Sequence, residues 1–327
     1  MFTSRWRELL AERTQEAARL VGAVPGVAGL VIGGSVGRGE PWPMSDIDVL
    51  PVYRSAAARD RDAGEVARVQ AELVDWWAAS GRAQCLDLSW IFFTATEITQ
   101  AVADGAAGLA TRMEDRRWFH GIDKAYGGRA GSASDVPTSD FLGFLRDARF
   151  AAPVVAARVA EWRRQAVTAL GAARAAQAHG DLDAATVELR ECARALRLVL
   201  VEGWGDRLGS MGREWSRFEE IARVHGASPL ASSLARLAGA DPAEVDTRAH
   251  LVPAWLAERI DLALHARRAV GEDVSPERNA RDQIAAFTVH VSRHRPDLTG
   301  PWTASPDPHL TDHLDEIEQL LPGIPSP

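Results

Sequence analysis

Two carboxylates stand two residues apart in Ser45-Asp46-Ile47-Asp48-Val49-Leu50, downstream of Gly33-Gly34-Ser35-Val36-Gly37-Arg38-Gly39-Glu40. On an extended strand, residues two apart project from the same face, so Asp46 and Asp48 leave one side together. Like charges that close repel unless a cation lies between them, and hard oxygen ligands beside phosphate point to magnesium. The upstream loop is rich in glycine, so its backbone N–H groups lie bare beside the Ser35 hydroxyl. That is a concave anion site suited to phosphate oxygens. Phosphate on one side and metal on the other imply a nucleoside triphosphate. A third carboxylate, Asp87, lies in the apolar stretch 84–93 (Gln-Cys-Leu-Asp-Leu-Ser-Trp-Ile-Phe-Phe). A charge there is costly unless it is paired or bound to metal. Either a surface arginine or the site itself answers that cost.

Gly34-Ser35, ten residues, then Asp46-Ile47-Asp48 resembles the signature of the DNA polymerase β-like nucleotidyltransferase superfamily. Arg38-Gly39-Glu40 and Ser45 resemble its small-molecule branch, which includes the aminoglycoside nucleotidyltransferases. The motif covers about twenty residues, and roughly the first third of the chain with its flanking elements. The resemblance implies an α+β fold: a small mixed nucleotidyltransferase sheet flanked by helices, then an all-helical C-terminal bundle domain. It implies a magnesium-dependent transfer of AMP from ATP, or of another nucleotide, to a hydroxyl of a small polar acceptor, with release of pyrophosphate. An aminoglycoside-type antibiotic is one such acceptor, and antibiotic resistance the corresponding role. In that reading Asp46 and Asp48 hold the metal, and Asp87 completes the metal site or takes the proton from the attacking hydroxyl. Gly34, Ser35, Arg38 and Ser45 attend the nucleotide. The helical domain of the branch sometimes donates a catalytic glutamate; Glu188 and Glu191 are the candidates here, with Glu202 a third. Glu188 and Glu191 could equally be surface partners of Arg190 and Arg194. Nucleotidylation of a protein or RNA, and a catalytically silent binding module, remain as other readings of the same resemblance.

The elements that must position these groups are legible as patterns. Residues 4–21 carry apolar positions at helical spacing, 27–32 read as a buried strand, and 46–53 as a second strand. Residues 56–80 read as an amphipathic helix with Val66, Val69, Leu73, Trp76 and Trp77 inward, and 84–93 as a third strand. A helix follows from Thr94. Residues 112–126 read as a last strand at the nucleotide edge or, preferably, as a solvated connection. The glycine- and serine-rich stretch 127–138 reads as a linker, which divides the chain into a catalytic domain, 1–137, and a helical substrate-binding domain, 138–327. Beyond it the pattern is helical: 140–179, bent around Pro153, then 184–202, forming an antiparallel hairpin. More helices are expected at 214–224, 230–237, 242–270, 276–292 and 308–321.

Composition narrows the classes. The chain has 327 residues, 46% hydrophobic and 25% charged, with a formal net charge of −8, as in a globular protein. Both halves carry an acidic excess, 18 acids against 15 bases up to residue 137 and 27 against 22 after it. An extended nucleic-acid footprint is therefore disfavoured, and a cationic partner suits the balance better. Lys124 is the only lysine among 37 Lys and Arg residues, which reads as compositional bias. Cys85 and Cys192 show no metal-ligand spacing and read as two buried free thiols in a reducing cytoplasm. His290 and His294, spaced i, i+4, lack a third ligand and read as incidental. No apolar run approaches the ~20 residues that span a bilayer. The expectation is a cytoplasmic enzyme meeting a nucleoside triphosphate and a small acceptor, with no membrane; a homodimer is compatible with it.

Overall fold

The computed structural model describes residues 5–80, 85–87, 90–132, 135–209, 212–303 and 306–324. It is a mixed α+β protein whose chain divides into two compact units, Met1–Ala157 and Arg158–Pro327.

In the first unit, α1 (Trp6–Gly22) leads into β1 (Val27–Ile32), a short helical turn α2 (Gly34–Gly37), and β2 (Ile47–Tyr53). β2 is buried along its whole length, with helices packed on its faces. It runs antiparallel to β1 on one side, and parallel to β3 (Leu86–Asp87) and β4 (Phe93–Thr94) on the other. A last strand, β5 (Arg129–Ala130), closes the outer edge of β1. Alternation along β2 divides its side chains. Ile47, Val49 and Tyr53 join Leu10, Ala17 and Val21 of α1 and Val66, Leu73 and Trp77 of α3 (Ala56–Ala79) in one apolar core. Burying each large apolar side chain there stabilises the unit by roughly 1.5–3 kcal/mol. The Trp77 indole N–H donates to Glu16 at 2.9 Å, tying α3 to α1. Trp76, expected inward, is 51% exposed, so the apolar stripe of α3 is narrower than the sequence implies.

The other face of the sheet is covered by α4 (Ala95–Thr111), α5 (Arg116–Ala125) and α6 (Val136–Ala148). Phe93 of β4 meets Trp118 of α5 and Phe141 of α6 edge-to-face, with ring centroids at 5.0 and 5.3 Å, the arrangement aromatic quadrupoles favour. Residues 112–126 are therefore neither strand nor solvated connection. A 3-10 turn at Arg112–Glu114 precedes α5, whose first turn is capped by Asp115 accepting from the Arg117 N–H. Trp118, Phe119, Ile122 and Ala125 recur at three- and four-residue intervals and are all buried.

Other expectations need correction as well. The third strand is two short pieces, β3 and β4, and residues 84, 88 and 89 of the expected span lie outside the described residues. The glycine-rich stretch is no linker: β5 pairs with β1 inside it, and Asp135 caps α6, which packs on α4. The division between units falls inside α7 (Ala152–Ala178), about one helix later than the sequence places it.

The second unit is helical throughout its described residues. After α7 come α8 (Leu182–Gly203), α9 (Glu214–Val224), α10 (Ser228–Leu237), α11 (Pro242–Ala249), α12 (Ala254–Ala269), α13 (Pro276–His294) and α14 (Leu310–Gly323). The expected helix 140–179 is two, broken before Pro153, and the expected helix 242–270 is two, broken at Pro253. A proline ring in a helix interior clashes with the preceding turn and removes a hydrogen bond, so each of these breaks falls at its proline. No described helix is long and apolar enough to cross a membrane.

Candidate functional site

The loop after β1 folds tightly because two glycines leave no room for a side chain. Gly34 has φ 59°, and a Cβ on it would fall 1.8 Å from Asp48 Oδ2. A Cβ on Gly33 would fall 2.4 Å from the Lys124 carbonyl oxygen. The Gly33 N–H also donates to the Asp48 carbonyl at 2.9 Å, so loop and strand lie flush. Ser35 and Ser45, ten residues apart, share a hydrogen bond of 2.8 Å between their hydroxyls, and Ser45 Oγ accepts from the Trp42 N–H at 3.0 Å. The two ends of the motif are thereby clasped.

Asp48 and Asp87 are direct partners in the parallel β2–β3 register. Asp46 stands at the exposed lip of the same edge, bonded to the Cys85 thiol. That thiol is exposed, contrary to the expectation of burial, because β3 ends in the site and not in the core. Crowding by the surrounding protein and then the neighbouring carboxylates push it up to about 11.

The carboxylates are strained electrostatically. Although Asp46 reaches solvent at the lip, the protein packed around its carboxyl, then Asp48, raises it above the ordinary aspartate value. Burial also raises Asp48, and Lys124 only partly offsets it. Lys124 reaches from α5 to donate to both Asp48 and Asp87, the latter at 2.8 Å. Burial alone would lower this ammonium, but the two carboxylates outweigh it and hold Lys124 above the usual lysine value. Three carboxylates face one ammonium, and flanking Arg38 has Glu40 beside it, so negative charge is in excess. A divalent cation balances that excess, and the donors are the hard oxygens magnesium takes. The residues therefore fit such an ion, although among the described residues no three His, Cys, Asp or Glu side chains are arranged to hold one as they stand.

The position of Lys124 follows from the packing of α5. Trp118, Phe119 and Ile122 anchor the helix, a Cβ on Gly121 would meet Phe93 Cζ at 2.8 Å, and Arg149 Nε donates to Asp123 at 2.6 Å. Sequence reasoning missed Lys124 because it read this stretch as a connection. The signal was nonetheless present: a lone lysine in an arginine-rich chain.

Gly34, Ser35, Ser45, Asp46, Asp48 and Asp87 are thus brought together. Arg38 flanks them, 3.5 Å from Glu40, and its charge lowers Asp48 slightly. Beside Asp87 opens a pocket of about 290 Å³, walled by Tyr53, Trp90, Phe92, Gln70 and Arg59. It lies where β3 and β4 leave the edge of β2 unpaired. Glu188 and Glu191 belong to the second unit, on α8. Glu191 pairs with Arg194 at 3.1 Å and Arg293 at 2.5 Å, and burial, then Glu191, raises Glu188. Glu202 is buried against Arg158 at 2.7 Å.

No protein-family model matches the chain, and neither does any curated protein or solved structure.

Proposed function

We propose that the chain is a magnesium-dependent nucleotidyltransferase of the polymerase β-like kind, moving a nucleotide, adenylyl in the first instance, to a hydroxyl of a small polar acceptor. The observation that carries the reading is the in-register Asp48–Asp87 pair, with Asp46 at its lip and the clasped Gly34–Ser35 loop against it. The mixed sheet with helices on both faces and a helical second unit agrees with the same reading of the fold.

In this reading Asp46, Asp48 and Asp87 hold magnesium, which when bound supplies positive charge at the phosphorus centre where negative charge accumulates. The Gly34–Ser35 backbone and the Ser35 hydroxyl hold phosphate oxygens, and Ser45 fixes the direction of that hydroxyl. Arg38 adds charge to the phosphate side. Asp87 stands at the wall of the aromatic pocket, and where Asp46 and Asp48 alone hold the metal its carboxylate can instead accept the proton of an acceptor hydroxyl. The acceptor oxygen then bonds to the α-phosphorus as the bond to pyrophosphate breaks. Glu191 of the second unit has its own arginine partners, Arg194 and Arg293.

The test is pyrophosphate release from each of the four ribonucleoside triphosphates, with magnesium, across a panel of hydroxylated acceptors that includes aminoglycosides. Expected is release that depends on both acceptor and magnesium, with an acceptor mass gain of one nucleotidyl group. Release without any acceptor modification would contradict the reading.

A further inference from the structure

In an arginine-rich chain of 327 residues, the single lysine sits where the charges converge. Its ammonium bridges Asp48 and Asp87, while its own carbonyl lies against Gly33 with no room for a Cβ between them. The backbone of α5 is therefore fixed at this point, and the side chain alone can move. An arginine here would present a planar fork with fixed donor directions; an ammonium is a compact point charge on a flexible stem. That is the chemistry of a cation that can share carboxylate oxygens and then release them.

We propose that Lys124 is a resident counter-ion that occupies the carboxylates until a metal–triphosphate complex arrives, so that divalent cation and nucleotide enter the site together. A free divalent cation must displace a tethered ammonium from two of its ligands. The ammonium side chain is only 33% exposed, so displacement leaves it poorly solvated beside a dication, without its hydrogen-bond partners. A triphosphate arriving with the cation brings anionic oxygens that can accept those hydrogen bonds. Metal alone is then a weak ligand, and the nucleotide makes it a strong one. Lys124 acts here as a positioning residue through Asp48 and Asp87. The inference rests on the nucleotidyltransferase reading above.

The experiment measures protein-bound manganese by equilibrium dialysis, with and without a non-hydrolysable ATP analogue, the metal and analogue being counted on both sides so that the complex formed in solution is subtracted. Wild type, Lys124→Met and Lys124→Gln are compared, and circular dichroism reports folding. Wild type should bind manganese about tenfold or more tightly with the analogue than without it, and the variants should bind manganese alone about tenfold or more tightly than wild type does. Manganese should also raise the melting temperature of the variants more than that of wild type, because it restores the missing positive charge. Equal binding of manganese alone by wild type and folded variants overturns the inference and leaves the nucleotidyltransferase reading standing. Should the variants not fold, wild type decides alone: binding that is indifferent to the analogue overturns the inference. No manganese binding by wild type under either condition overturns both.

Discussion

Gly34 shows how little freedom the site leaves a single residue. Its backbone is left-handed, and the space a methyl group would need is held by an Asp48 oxygen. Gly34→Ala should cost about 1–3 kcal/mol, from the positive φ and from the displaced carboxylate. Denaturant unfolding in the absence of metal measures it; unchanged stability would mean that loop and strand are not in contact. The two carboxylates were legible as chemistry by their spacing, although only Asp48 lies on β2; Asp46 precedes the strand and is exposed where Asp48 is buried. Asp87 was legible as an anomaly, a charge within an apolar run. Lys124 was not, because its reach depends on how α5 docks, and no local pattern encodes the docking of one helix against another element. The same limit applied to Glu191, whose Arg293 partner lies on a different helix.

At the scale of elements, the sheet edge and the helix after it act together. Thr94 and Glu97 form a reciprocal capping box at the start of α4, and Glu97 also pairs with Arg117 at 2.6 Å. Arg117 in turn donates to the Phe92 carbonyl at 2.7 Å, so α4, α5 and the run into β4 share one polar junction. Burial tends to raise the Glu97 carboxyl, but Arg117 and Thr94 outweigh it and hold the group below 4.5. A depressed carboxyl stabilises the fold above its unfolded value and loses that contribution as pH falls through its folded value. Glu97→Gln should therefore cost about 1 kcal/mol at neutral pH, with the difference from wild type vanishing in acid. Unfolding free energies measured from pH 7 down to pH 3 test this; a difference that persists in acid would assign the effect to packing. Helix periodicity revealed α1, α3 and α8 in outline, with ends set by caps such as Ser55 and Asp181. The strand at 84–93 was overextended because aromatic residues favour strands, yet Trp90 and Phe92 line a pocket instead of continuing the ladder. The glycine-rich stretch misled for a related reason: a two-residue strand leaves almost no periodicity to read.

The two units differ in what holds them. The first is organised on its sheet, with apolar layers on both faces. The second buries arginines: Arg158 against Glu202 at 2.7 Å, and Arg267 against Asp282 at 2.9 Å. Both members of each pair are almost wholly enclosed, so removing one partner takes a counter-charge from a group held out of water. Glu202→Ala should cost about 3–5 kcal/mol, whereas replacing Arg158 and Glu202 together by leucine and methionine should cost far less. Chemical denaturation followed by circular dichroism distinguishes the two outcomes, and equal costs would contradict this account of the pair. Among the α8 carboxylates that the resemblance offers as candidates, Glu202 faces buried Arg158, whereas Glu191 faces the more open Arg194 and Arg293. Helical spacing cannot separate a carboxylate that serves a buried arginine from one that serves a reaction.

Isothermal titration of the full chain with ATP, with and without magnesium, tests the central claim most directly, Asp48→Asn serving as the comparison. The carboxylate cluster and its glycine loop should bind ATP only when magnesium is present, and Asp48→Asn, still unfolding cooperatively, should lose that binding. ATP binding of equal strength without magnesium, or undiminished in Asp48→Asn, would contradict the account.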